Sequence, residues 1–286
     1  MNAWSTALSL LPDELLNTVK EYPSAEEIRI RLEKPPAVVI AGRERQVMPV
    51  GATQGHLMHI LEKATGASLH AAIPALNSGY ISYRGLRIGV CGEGVYTHNR
   101  MNGLRGFSSL AIRIPHEAPQ GCQVLLDNLL KAQPASILIA SPPGIGKTSL
   151  LRALIKRAAD GAARVAVIDD RNELSASVSG KAQFDLGRGS DVLVGIPKAQ
   201  AAVMLLRGMN PQIVAMDEIT QEEDLKAIEQ ICGCGVSLFA TAHGNTLAEM
   251  KKRPLYKSLF DSGIFQELVT IRCVDSKRLY LREALI

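Results

Sequence analysis

The chain has 286 residues, 47% hydrophobic and 21% charged, with a formal net charge of +4, a pI near 8.8 and five cysteines. These values exclude a disordered or fibrous chain and leave room for two domains with separate cores. No run of 18 apolar residues is present, and the opening stretch lacks the basic region and small-residue cleavage site of a signal peptide, so a cytoplasmic protein is expected.

The cysteines, at 91, 122, 232, 234 and 273, lack the paired spacing of a zinc site and are expected to be reduced thiols. Basic residues are scattered except for Lys251-Lys252-Arg253, which is either a solvated face or a contact for anionic lipid or another subunit.

In chain order, a helix-like opening leads to alternating residues at 26–40, where Ile28, Ile30 and Leu32 precede a turn at Pro35-Pro36 and predict a hairpin. Helical spacing follows at 53–65, and period two returns at 79–97 and 104–115. This is the pattern of an α+β module. The segment PHEAPQG at 115–121 marks a boundary, giving an N-terminal domain over 1–118 and a second domain over 119–286. A helix is predicted near 122–132. Beyond it, continuous apolar runs (SILIA at 136–140, ARVAVID at 163–169, QIVAM at 212–216, VSLFATA at 236–242) alternate with helical stretches. Such runs predict an α/β fold, with a parallel sheet covered on both faces.

The first run leads into Ser141-Pro142-Pro143-Gly144-Ile145-Gly146-Lys147-Thr148-Ser149, which matches the phosphate-loop pattern except at its first position, where serine replaces glycine. Gly144 and Gly146 let backbone N–H groups turn around an anion at the start of a helix. Lys147 would reach the β- and γ-phosphates of ATP and Thr148 would bind Mg²⁺. A positive φ at Ser141 would cost about 1 kcal/mol. The third run ends in Asp217-Glu218, a Walker B arrangement in which Asp217 holds the Mg²⁺ shell and Glu218 polarises the attacking water. A second acidic cluster, Asp169-Asp170-Arg171-Asn172-Glu173, and the stretch Thr241-Ala242-His243-Gly244 end the other two runs, at the edge where doubly wound sheets bind ligands.

Taken together, the phosphate loop, the box at 169–173, LLRGMNPQIVAMDEI and GVSLFATAHGNT resemble the secretion ATPases of type II and type IV systems and pilus motors. Within that group IDDRNEL, EEIRIRLEKPPAVVI and YRGLRIGVCG most resemble the stage III sporulation protein AA family of endospore-forming Firmicutes. The resemblance implies a RecA-like P-loop core behind a smaller module. It also implies that Asp169 and Glu173 support the water or the metal and that His243 reports on the γ-phosphate. Asp170 departs from the glutamate expected there. A hexameric ring is implied as well, in which Arg87, Arg105 or Arg113 serves a neighbour's nucleotide. The expected partners are further copies of the chain and membrane-embedded channel proteins, with peripheral membrane contact. No nucleic acid is expected, because aromatics are only 4% and no basic stripe interleaves them. The alternatives are a nucleic-acid motor on the same core and a non-hydrolysing, ATP-bound ring scaffold.

Overall fold

The computed structural model describes residues 3–40, 42–68, 72–97, 100–115, 122–131, 135–274 and 277–285. They form two compact units, Met1–His116 and Glu117–Ile286. Most of the boundary predicted at 115–121 lies outside the described residues.

The first unit runs α1 (Ala3–Leu10), α2 (Asp13–Val19), β1 (Glu27–Arg31), β2 (Ala37–Ile40), β3 (Arg43–Gln46), α3 (Gln54–Thr65), α4 (Ile73–Asn77), β4 (Tyr80–Tyr83), β5 (Leu86–Thr97) and β6 (Arg100–Arg113). Its antiparallel sheet has the order β3-β2-β1-β6-β5-β4. Alternation dictates its burial, since Ile28 and Ile30 of β1 are buried with Val38, Ile88, Leu110 and Ile112 while Glu27, Arg29 and Arg31, on the opposite face, are only partly buried. Leu57, Ile60 and Leu61 of α3 join the same core. The β1–β2 hairpin pairs Ile28 with Val38 as the sequence predicts, whereas β3, four exposed polar residues, carries no apolar pattern that would announce it. Each arginine named for a neighbour's site has a partner within this unit. The Arg87 guanidinium stacks 3.9 Å from the Tyr80 ring, Arg105 pairs with Glu93 at 3.3 Å, and Arg113 lies 3.9 Å from Glu27.

The second unit runs α5 (Gln123–Leu130), β7 (Ile137–Ser141), α6 (Lys147–Asp160), β8 (Val165–Asp169), β9 (Ser190–Val194), α7 (Lys198–Gly208), β10 (Ile213–Ile219), α8 (Glu222–Gly233), β11 (Ser237–His243), α9 (Leu247–Met250), α10 (Pro254–Asp261), β12 (Glu267–Val274) and β13 (Lys277–Ala284). The sheet order is β13-β12-β7-β11-β10-β8-β9, parallel except at β13, which pairs antiparallel with β12. The continuous apolar runs divide by period two between two cores. Leu138, Ala140, Ala166, Ile168, Val214 and Met216 pack under α7, α8 and α10, whereas Ile137, Ile139, Val165, Val167, Ala215 and Phe239 pack under α5 and α6. That double covering explains why the packed stretches of these strands are almost wholly apolar, with Thr241 of β11 and Asp217 of β10 turned to the site instead. Among the described residues no helix is long and apolar enough to cross a membrane.

From β7 the chain passes over β11 and β10 to reach β8. The C-terminal ends of β7, β8, β10 and β11 therefore share one edge, which collects every segment named as a candidate site in the sequence.

Candidate active site

Gly144 and Gly146 have φ of +75° and +109°, conformations that carry the loop from β7 into the first turn of α6. A Cβ on Gly144 would meet nothing within 4 Å, whereas one on Gly146 would meet the Arg278 Nε at 3.4 Å. Arg278, on β13, donates from Nε to the Ile145 carbonyl at 2.7 Å and so braces the loop from a strand 133 residues away. Pro143 is exposed in the loop, and the Pro142 carbonyl accepts from the Ser141 hydroxyl at 2.8 Å. Ser141 is a buried strand residue and is absent from the positive-φ positions, so the strain expected from serine at the first loop position does not arise. Ser149, on the first turn of α6, accepts from Arg152 at 3.4 Å.

Lys147 opens α6 and is buried. Its ammonium lies 3.5 Å from the Pro142 carbonyl and 3.2 Å from the His243 Nδ1. Burial pulls its pKa below the usual lysine value against the opposing charges of Glu218, Asp217 and Glu173, so the ammonium sits where an anion would be welcome.

Thr148 donates its hydroxyl to Asp217 Oδ2 at 2.8 Å, and Thr241 donates to Asp217 Oδ1. Burial raises the Asp217 pKa against these two bonds. One hydroxyl and one buried carboxylate side by side fit a hard cation that takes its remaining oxygens from phosphate and water. The pairing of β10 with β11 shifts register between Met216 and Ile219, which places Asp217 and Glu218 in an irregularity. Glu218 has φ +46° there. Its peptide is clamped on both sides. Its N–H donates to Thr241 Oγ1 at 2.8 Å, and its carbonyl accepts from the Lys198 ammonium at 2.6 Å.

The Glu218 carboxylate lies between Arg171, whose Nη1 is 2.5 Å from Oε2, and His243, whose Nε2 is 3.1 Å from Oε1. Burial alone would raise its pKa, but Arg171, His243 and Lys147 outweigh burial and hold it below the usual carboxylate range.

Asp169 is buried, and its carboxylate is saturated by its own loop. Oδ1 accepts the N–H groups of Glu173 at 2.8 Å and Leu174 at 3.0 Å, while Oδ2 accepts the Ser175 N–H at 2.8 Å and its hydroxyl at 2.6 Å. Asp169 therefore shapes the turn that carries Arg171 and Glu173. Glu173 is half-buried and acts on the Lys147 and Arg171 charges. Asp170 faces the other way, 3.9 Å from Lys198, and burial raises its pKa against the pull of Lys198 and Arg171.

The site thus gathers the loop 142–149, Asp217, Glu218, Glu173 and His243. It also includes Lys198 and Arg278, which carry no role in the sequence analysis. Arg171 was visible as one cation among acidic neighbours, whereas Lys198 and Arg278 sit in no motif.

A sheet with one strand between the phosphate-loop strand and the Asp-Glu strand is that of a RecA-like P-loop NTPase core. Solved structures agree with this fold. The Legionella pneumophila ATPase DotB superposes with TM-score 0.62 at 17% identity, over 95% of this chain and 79% of that one. The pilus retraction motor PilT with bound ADP gives TM-score 0.58 at 19% identity, over 96% and 82%. The family model "Sporulation stage III, protein AA" matches residues 7–277. Stage III sporulation protein AA of Bacillus subtilis (strain 168) is 30% identical over 274 residues, covering 92% of this chain and 89% of that protein. The chain belongs to the sporulation stage III, protein AA family.

Proposed function

We propose that this chain hydrolyses ATP as a secretion-type motor serving a membrane-associated channel complex during sporulation. The observation that carries the proposal is the contact at 2.8 Å between the Thr148 hydroxyl, in the first turn after the glycine loop, and the buried Asp217 carboxylate beside Glu218. A capped helix and an isolated acidic turn have no reason to meet in this way.

In the proposed reaction the loop 142–149 and the N-terminus of α6 bind the phosphates, and Lys147 turns from His243 to the β- and γ-oxygens. Thr148 and Asp217 would hold Mg²⁺, which when bound would neutralise charge on the phosphate oxygens. Glu218 orients the attacking water, and His243, touching both Lys147 and Glu218, senses whether the γ-phosphate is present. Glu173 adds to the field around Lys147. Asp169 acts one step removed, as the residue that positions the 171–175 loop. We further propose a homo-hexameric ring on the cytoplasmic side of the membrane, with channel proteins as partners. The exposed Lys251-Lys252-Arg253 run, between α9 and α10, would make the peripheral contact.

Mg²⁺-dependent ATP turnover by the purified full chain, with and without single-stranded DNA and with sedimentation of the same sample, tests this proposal. DNA-indifferent turnover by an oligomer supports the motor. Strong stimulation by DNA would assign the core to a nucleic-acid motor, and ATP binding by a ring without turnover would make it a scaffold.

A further inference from the structure

Four side chains form one unbroken line across the site. Lys147 contacts His243 Nδ1 at 3.2 Å, His243 Nε2 contacts Glu218 Oε1 at 3.1 Å, and Glu218 Oε2 accepts from Arg171 at 2.5 Å. Arg171 ends the line, and the sequence motifs assign it no part.

Its backbone and its side chain are held very differently. The backbone belongs to a turn fixed by the four donors on Asp169, and the Asn172 Oδ1 accepts the Ser177 N–H at 2.6 Å. The side chain is 41% exposed, while Glu218 is 21% exposed. A guanidinium on an anchored turn, with its head half in solvent, can swing without disturbing the fold. The carboxylate it holds is the group that must accept a hydrogen bond from water if this core hydrolyses ATP. A charge-assisted bond to one oxygen and an imidazole on the other compete with that water for the same lone pairs.

Given the ATPase function proposed above, on which this inference depends, we propose that Arg171 is a positioning residue that restrains Glu218. While the guanidinium holds the carboxylate, Glu218 cannot orient water, and turnover requires the pair to open. The other charged groups acting on the Glu218 carboxylate are Lys147 from α6, Asp217 from its own strand and His243 from β11, while Lys198 of α7 holds its carbonyl. Arg171 alone reaches the carboxylate from a turn outside the phosphate loop and the sheet strands, so it is the one positioned to act as a release.

The test is steady-state ATP turnover by the full chain, with kcat and KM separated, for wild type, Arg171→Ala and Arg171→Lys. Arg171→Ala is expected to raise kcat about 2- to 5-fold, the worth of one partly exposed ion pair, with KM for ATP little changed. Arg171→Lys, which keeps the cation, stays near wild type. Salt separates restraint from a structural role. Wild-type kcat at saturating ATP rises as potassium chloride screens the pair, and that of Arg171→Ala stays flat. A misfolded variant cannot gain rate. Turnover that depends on Glu218 in the wild type but falls or stays level in Arg171→Ala overturns the restraint alone. No turnover in any of the proteins overturns the ATPase function and the restraint with it.

Discussion

Replacing Lys198 by methionine should be among the most damaging single substitutions in the second unit, although no motif includes it. The Lys198 side chain is 4% exposed, and its ammonium donates to the Glu218 carbonyl at 2.6 Å, lies 3.3 Å from Asp224 Oδ1 and 3.9 Å from Asp170. Methionine fills the volume but leaves the Asp224 carboxylate, itself 3% exposed, as an uncompensated buried charge. Removing one partner of a buried pair costs about 3–5 kcal/mol. Asp224 keeps the N–H groups of Thr220 at 2.8 Å and Gln221 at 3.3 Å, which favours the lower part of that range. The orphaned Glu218 carbonyl adds about 1 kcal/mol, so the expected loss is about 4 kcal/mol. For a unit of this size that lowers Tm by roughly 8–16 °C. The single tryptophan, Trp4, lies in the first unit, so far-UV circular dichroism in urea is the appropriate probe. The double variant Lys198→Met/Asp224→Asn should recover at least about 1 kcal/mol by removing the stranded charge. A loss below about 1 kcal/mol in the single variant, or no recovery in the double, refutes the role of Lys198 as the buried counter-ion.

Two other outcomes follow from the same geometry. Gly146→Ala, at φ +109° and facing Arg278 at 3.4 Å, should destabilise by about 1–2 kcal/mol or more and weaken ATP binding. Gly144→Ala, with open space around it, should cost only about 1 kcal/mol, and thermal melts with a KM for ATP compare the two. Burial pushes the Cys232 thiol up to about 11, so its thiolate, the reactive form, accumulates only as pH climbs toward that value. At mildly alkaline pH iodoacetamide should label exposed Cys91, Cys234 and Cys273 well before Cys232, and peptide mapping by mass spectrometry reads the order.

The sequence made the site legible wherever chemistry and local geometry coincide. The four apolar runs became β7, β8, β10 and β11 because strands covered on both faces are built almost wholly of apolar residues, and the ends of those runs are where the candidate residues stand. Strand β9 was hidden because SDVLV lies at the sheet edge and is only partly buried, and the β12–β13 pair closes the opposite edge. Asp169 illustrates a different limit. An acidic residue at a strand end reads equally as a ligand or as the anchor of its own turn, and only the donors at Glu173 to Ser175 decide between them. Lys198 and Arg278 act through contacts with the Glu218 and Ile145 carbonyls, and a backbone acceptor leaves no trace in the residue types around either partner.

The most direct test of the central claim separates binding from turnover. Equilibrium binding of Mg²⁺·ATP is followed by phosphate release for wild type, Lys147→Ala and Glu218→Gln. The expected result is that wild type binds and hydrolyses and Lys147→Ala loses binding. Glu218→Gln binds normally and turns over at least about 100-fold more slowly, the usual worth of a general base. Hydrolysis undiminished in Glu218→Gln, or ATP bound equally well without Lys147, would contradict the assignment of this site as the ATPase centre.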